Sequence, residues 1–192
     1  MGKVIGIAGS ARKKGNSATL MRAILKGAAL AGADTKEVYL NGLVFKGCQG
    51  CEKCTSKGKC ILNDDLTSIL DELRKAEGRV LASPIYYDSV TGQMKTFFDR
   101  CRTFTKDPET QKLKPQLKGK RKGVVIVTYE DKPRKDYYHE AEKLVNYLGW
   151  MGDFGKVEII SEGKLGPGDA AGNRPDLLAR AEKLGKDLFG CT

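Results

Sequence analysis

Short runs of apolar, largely β-branched residues alternate along the chain with segments whose apolar residues recur at helical spacing. The runs, which we predict to be strands, cover residues 4–8, 37–40, 79–82, 124–128 and 157–160. Helical periodicity is found around residues 20–28, 66–73, 93–102 and 141–148, and again from 175 onward. Strands that alternate one by one with helices form a parallel sheet covered by helices on both faces. The pattern therefore predicts a three-layer α/β fold with a five-stranded parallel sheet.

The length and composition fit a single domain over residues 1–192. Of these residues, 40% are hydrophobic and 30% are charged, which is an ordinary globular balance. No apolar run approaches the roughly 20 residues that span a bilayer, and Gly9 and Ser10 interrupt the N-terminal run too early for a signal peptide. We therefore predict a cytoplasmic protein without membrane contact, whose cysteines are thiols.

The net charge is strongly positive and admits an anionic partner. Lysine and arginine number 34 against 24 aspartates and glutamates, which gives a formal charge of +10. Nucleic acid, an acidic protein or a phosphorylated cofactor would each fit such a charge. The chain carries no recognised nucleic-acid-binding motif, so we expect no nucleic-acid partner. The single histidine, His139, argues against a Ser-His-Asp triad, and we predict no catalytic side chain.

A loop rich in polar donors follows the first predicted strand, over residues 9–19. Its glycine spacing matches neither the dinucleotide fingerprint nor the nucleoside triphosphate loop. The loop leads into a helix N-terminus, where free backbone N–H groups and the helix dipole favour an anion. The candidate ligands are Ser10, Asn16, Ser17 and Thr19, with Arg12 adding positive charge. This set suits a terminal phosphate, although Asn16 or Ser17 could instead merely cap the helix.

The loop after the third predicted strand, residues 83–93, is expected to face the phosphate loop. Five-stranded sheets of this kind commonly take the order 2-1-3-4-5, and ligands bind beyond the carboxyl ends of the strands where that order reverses. Pro84 stiffens the loop, and Tyr86 and Tyr87 offer flat apolar faces with polar tips. A planar aromatic cofactor fits such a loop, whereas simple packing of the tyrosines is the alternative.

Four of the six cysteines lie in one loop, at residues 47–61. Cys48, Cys51, Cys54 and Cys60 are spaced as C-x2-C-x2-C-x5-C. Structural zinc sites usually pair two knuckles across a longer spacer, whereas this compact run is similar to that of bacterial ferredoxins. The last gap is five residues rather than three, and no proline follows Cys60. An iron–sulfur cluster, bare thiols, and zinc or another metal all remain open from spacing alone. We interpret Cys101 as a packed side chain and Cys191 as a free thiol.

Together, residues 9–12, 15–17, 83–87 and 92–95 resemble the NADPH-dependent FMN reductase family of flavodoxin-like proteins. The cysteine loop makes the chain most similar to the iron–sulfur flavoprotein branch of that family. The resemblance implies a flavodoxin-like fold. It also implies that FMN is bound through its phosphate by Ser10, Arg12, Asn16, Ser17 and Thr19. The ribityl chain and ring would be lined by Pro84, Ile85, Tyr86, Tyr87 and Ser89. A single [4Fe–4S] cluster would be bound by Cys48, Cys51, Cys54 and Cys60.

The same resemblance implies an oxidoreductase that couples two-electron flavin chemistry to a one-electron cluster. Electrons would pass from ferredoxin or NAD(P)H to an unidentified small-molecule acceptor, in a homodimer or homotetramer. The family often adds a flavin contact after strand four, but residues 128–131 lack the expected glycine-rich turn. Three alternatives stay open: a cluster-free NAD(P)H-dependent FMN or quinone reductase, a flavodoxin-type electron carrier, and a colourless binding module for a phosphorylated metabolite.

Overall fold

A parallel sheet of five strands forms the centre of the computed structural model, which describes residues 2–133, 136–166 and 168–189. The strands are β1 (Lys3–Ala8), β2 (Asp34–Tyr39), β3 (Gly78–Tyr86), β5 (Lys122–Thr128) and β6 (Val157–Glu162). Their order is β2-β1-β3-β5-β6, which is the predicted 2-1-3-4-5 order. A further strand, β4 (Ser89–Val90), pairs antiparallel with the end of β3. The flavodoxin-like fold is therefore confirmed, with one short strand more than predicted.

Helices cover both faces of the sheet, as the alternation predicted. They are α1 (Asn16–Leu30), α2 (Lys53–Lys57), α3 (Asp65–Lys75), α4 (Gly92–Arg100), α5 (Tyr138–Met151) and α6 (Pro175–Phe189). Alternate strand residues point to opposite faces. Val4 and Val80 accordingly pack under α1 and α6, whereas Ile5 and Leu81 pack under α3, α4 and α5. Among the described residues, no helix is long and apolar enough to cross a membrane.

Two glycines let α1 and α6 approach each other closely on one face of the sheet. A Cβ atom added to Gly27 would lie 2.0 Å from the carbonyl oxygen of Glu182. One added to Gly185 would lie 2.0 Å from the carbonyl oxygen of Ile24. The backbones of the two helices are thus in direct contact, which no other residue type at these positions would permit.

Several element boundaries differ from the prediction, and two of these differences have local reasons. Strand β3 continues to Tyr86 rather than ending at 82, because β4 pairs with its last residues. Helix α4 ends at Arg100, where residues Cys101–Phe104 tighten into a short 3-10 turn. Cys101 is buried, as interpreted, and Cys191 lies outside the described residues.

Candidate functional site

The phosphate loop leaves the carboxyl end of β1 and ends where α1 begins. Gly15 is the N-cap residue, and no side chain caps the helix. Capping is therefore not the role of Asn16 or Ser17, and that alternative is wrong. A helix N-terminus without a cap presents backbone N–H donors and a positive dipole end to an anion.

Ser17 carries an unpartnered polar atom beside this N-terminus. Its side chain is 1% exposed, and its Oγ has no hydrogen-bond partner. Burying a hydroxyl without a partner destabilises a fold, so such an atom in a native structure calls for a ligand or another explanation. Ser10 shapes the loop, because its Oγ accepts a hydrogen bond from the Arg12 N–H (3.1 Å) and donates one to the Arg12 carbonyl (2.9 Å). The loop thus fits a phosphate group.

Asn16 and Thr19 are tied to the loop that follows β6. The Asn16 amide donates to the Gly166 carbonyl (3.3 Å) and accepts from the Ala171 N–H (2.9 Å). The Thr19 hydroxyl donates to Asp169 Oδ1 at 2.8 Å. Asn16 still lines the phosphate cavity, but Thr19 lies outside it.

Two adjoining cavities form one groove along the carboxyl edge of the sheet. The first is lined by the predicted residues Ser10, Arg12, Asn16, Ser17, Pro84, Ile85 and Tyr86. The second, of about 310 Å³, is lined by Tyr87 together with Asp88, Lys132 and Tyr137. Ile85, Tyr129 and Glu130 line both cavities, which makes them continuous. The groove lies at the predicted reversal of strand order, where open α/β sheets bind ligands.

The loops after β5 and β6 also line the groove. Tyr129 and Glu130 line both cavities, Gly166 lines the first, and Tyr137 lines the second. Residues 128–131 are the segment where the resemblance places a further flavin contact, and they line the groove without the glycine-rich turn. Sequence reasoning missed Gly166 and Tyr137, which stand farther along the chain, where no local pattern marks them.

A tight hairpin turn carries Tyr87 between β3 and β4. The φ angles of Tyr87 and Asp88 are 53° and 62°, as a two-residue type I′ turn requires. The Tyr87 side chain is fully exposed. The Tyr137 hydroxyl donates to the Asp88 carboxylate, and Lys132 Nζ donates to the Tyr137 hydroxyl at 3.1 Å. The turn is thereby tied to the far wall of the groove.

Ser89 anchors this hairpin rather than lining the groove. Its Oγ donates to Glu140 Oε2 at 2.9 Å, and the Val90 N–H lies 3.4 Å from the same oxygen. Glu140 is 2% exposed and also pairs with Lys143. Burial would raise the pKa of Glu140, but the hydrogen bonds from Lys143 and Ser89 outweigh it and hold the pKa below the ordinary value of 4.5.

The Glu140→Gln variant is expected to be less stable than the wild type at pH 7, by about 1–3 kcal/mol, because the amide loses charge-assisted hydrogen bonds. A lowered folded-state pKa stabilises above the unfolded value and loses that effect as pH falls. The difference should therefore shrink below pH 4.5. Urea unfolding from pH 7 to 3 measures it, with the exposed Glu142→Gln as control. A constant difference across this range would contradict the prediction.

The cysteine loop lies between β2 and α3. Cys48 and Cys51 are exposed, and Cys54 and Cys60 are half-buried. Burial raises the pKa of the Cys54 thiol, and the nearby sulfurs of the other three cysteines add to this effect. The four thiols therefore share one region.

The chemistry of this donor set fits a thiolate-bound cluster. In the part of the chain that the structure describes, no three histidine, cysteine, aspartate or glutamate side chains converge closely enough for a single metal ion. Four cysteine thiols in one loop are the ligands that iron–sulfur clusters use. Four exposed lysines stand close to the cysteines in the sequence and would offset a cluster's negative charge; they are Lys46, Lys53, Lys57 and Lys59.

The sequence model of the family described as NADPH-dependent FMN reductase matches residues 2–150. An iron-sulfur flavoprotein of Archaeoglobus fulgidus is 36% identical over 125 residues, which cover 65% of this chain and 54% of the relative. One of Methanocaldococcus jannaschii is 37% identical over 125 residues, which cover 65% of this chain and 61% of the relative. The chain thus spans between half and two thirds of the length of these curated relatives.

A solved structure of similar fold covers nearly the whole chain. It is an FMN-dependent NADH-azoreductase from Bacillus anthracis in complex with FMN, with a TM-score of 0.70 and 15% identity, and the match covers 99% of this chain and 100% of that one. The family match, the flavodoxin-like sheet and the groove at its carboxyl edge agree with one another. The chain belongs to the NADPH-dependent FMN reductase family.

Proposed function

We propose that this chain is an iron–sulfur flavoprotein that binds FMN in the groove and a [4Fe–4S] cluster at Cys48, Cys51, Cys54 and Cys60. Electrons would come from NAD(P)H or ferredoxin and pass to a small-molecule acceptor. The observation that carries the flavin half is the buried, unpartnered Ser17 hydroxyl beside the uncapped N-terminus of α1. The cysteine loop and the named iron-sulfur flavoproteins support the cluster.

Different residues of the groove would bind different parts of FMN. The Ser17 hydroxyl and the first N–H groups of α1 donate to the phosphate, and Arg12 supplies positive charge. Ile85, Tyr86 and Tyr129 provide apolar walls for the ring. Bound FMN takes up two electrons as a hydride and releases them singly, which suits exchange with a one-electron cluster.

Helix α4 connects the two proposed binding regions. At its N-terminus, the Thr91 hydroxyl donates to the Gly9 carbonyl of the phosphate loop at 2.8 Å. At its C-terminus, Arg100 donates to the Lys46 carbonyl of the cysteine loop at 2.7 Å. A helix of nine residues is about 13 Å long. Both sites therefore belong to one rigid unit, which supports electron exchange within a subunit.

We also expect a homodimer or homotetramer. Trp150 and Leu113 are 62% and 80% exposed, and both line an apolar cavity of about 330 Å³. Exposed apolar patches of this kind mark contact surfaces, which supports association between copies of the chain.

The proposal is tested by anaerobic purification followed by quantification of FMN, iron and sulfide. We expect about four iron and four sulfide per FMN, with a broad absorption beneath the flavin bands. Cys51→Ser should lose iron and sulfide but keep FMN, whereas Cys101→Ala, outside the loop, should keep all three. NADPH or reduced ferredoxin, added separately without air, should bleach the flavin band and so identify the donor.

Each other outcome points to a different protein. FMN without iron would make the chain a cluster-free NAD(P)H-dependent reductase if NADPH bleaches the flavin, and a flavodoxin-type carrier if it does not. A colourless protein that takes up neither FMN nor iron on reconstitution would refute the proposal.

A further inference from the structure

A buried arginine joins the two ends of the cysteine loop. Arg100, the last residue of α4, is 2% exposed. Its guanidinium forms a fork with the Asp64 carboxylate, at 2.7 Å from NH1 to Oδ2 and 3.2 Å from NH2 to Oδ1. NH1 also donates to the Lys46 carbonyl at 2.7 Å. Lys46 precedes the first cysteine of the loop and Asp64 follows the last, so one side chain holds both stems.

Backbone hydrogen bonds complete this closure. The Lys46 N–H donates to Asp64 Oδ2 at 3.1 Å, and the Val44 N–H donates to Asp65 Oδ2 at 2.7 Å. Asp64 and Asp65 start α3, so the first stem of the loop is fixed against a regular element. Removing one member of a buried ion pair leaves an uncompensated charge, which is strongly destabilising. The closure therefore depends on Arg100.

Arg100 also retains an unused donor beside the stems of the cysteine loop. The Nε of Arg100 is buried and has no hydrogen-bond partner. An ion pair that only held the stems would not need a spare buried donor.

We propose that Arg100 is a positioning residue that closes the cysteine loop and so sets its thiols for the cluster. This inference rests on the proposed function. Outer partners of a metal site orient its ligands, and removing one lowers the affinity for the metal by about 10- to 100-fold.

The closure is tested first on the apoprotein, where no cluster is needed. Backbone hydrogen exchange, read by mass spectrometry on peptides containing Val44 and Lys46, should be about tenfold faster in Arg100→Gln than in the wild type. Arg79→Gln is the matched control, because Arg79 is also 2% exposed but contacts the Leu73 carbonyl and the Phe154 ring. Equal exchange in the wild type and Arg100→Gln would overturn the closure.

The effect on the thiols is tested on the full chain by anaerobic reconstitution with limiting iron and sulfide. We expect less bound iron and sulfide in Arg100→Gln, partial recovery in Arg100→Lys, which keeps a charged donor, and the wild-type content in Arg79→Gln. The wild-type content in Arg100→Gln would overturn the positioning role. A wild-type chain that takes up no iron or sulfide would instead refute the proposed cluster, while the exchange result still decides the closure.

Discussion

Gly27→Ala should lower the free energy of unfolding by about 3 kcal/mol, because the new methyl group has no space between α1 and α6. Its Cβ would lie 2.0 Å from the carbonyl oxygen of Glu182. That oxygen belongs to a helix backbone, so no change of rotamer relieves the overlap. The two helices must separate, and the apolar residues packed around their crossing lose contact with one another.

Gly149→Ala is the matched control for this substitution. Gly149 also lies inside a helix, α5, but a Cβ there meets nothing within 4 Å. Alanine at such a position favours the helix by about 0.5–1 kcal/mol. Urea unfolding of both variants, followed by far-UV circular dichroism, measures the difference. A Gly27→Ala protein as stable as Gly149→Ala would mean that the helices are not in backbone contact.

Ser17→Ala should weaken FMN binding by about 10- to 100-fold, since it removes a hydrogen bond to a charged phosphate. The same substitution should leave the apoprotein as stable as the wild type or more stable by about 1 kcal/mol, because the buried Oγ has no partner to lose. A residue with a purely structural role would show the opposite pattern.

Titration of the apoprotein by flavin fluorescence quenching measures this effect, with riboflavin as the comparison ligand. Riboflavin lacks the phosphate, so its affinity should not change in Ser17→Ala. Ser68→Ala is the control, because the Ser68 hydroxyl is exposed and donates to a carbonyl of its own helix. Equal losses for FMN and riboflavin would show that Ser17 does not contact the phosphate.

The features best predicted from the sequence are those that follow from the parallel direction of the strands. Parallel strands end at one edge of the sheet, so the loop that contains Ser10 and the loop that contains Tyr86 were expected to meet. The structure brings both residues to one cavity. The order of the strands was predictable for the same reason, because sheets of this class reverse at a common position.

The partners of individual side chains were not predictable, because they lie far apart in sequence. The sequence predicts that the Thr19 hydroxyl binds the phosphate. In the structure it donates its hydrogen bond to Asp169, which is 150 residues away. Ser89 was expected to line the flavin, but its hydroxyl donates to Glu140, which lies 51 residues further along the chain. A local sequence pattern shows which side chains can donate a hydrogen bond. It does not show which acceptor the fold brings next to them.

Short elements escaped prediction for a different reason. Strand β4 has two residues and α2 has five, too few for a period of two or of 3.6 to be detected. Each depends on left-handed residues at its boundary, Asp88 before β4 and Glu52 before α2. Neither residue is a glycine, so composition gave no sign of the turn.

The attachment of α4 at both ends has a consequence for electron tunnelling. Helix α4 sets the distance between the phosphate loop and the cysteine loop. Thr91 binds the first loop at the start of the helix, and Arg100, its last residue, binds the second. Lengthening the segment between Cys54 and Cys60 would change how the thiols converge but leave that gap almost constant. Inserting a single residue into α4 would add about 1.5 Å and rotate Arg100 by about 100°. Under the proposed function, rates of intramolecular electron transfer should therefore tolerate variation in the loop and be sensitive to the length of this one helix.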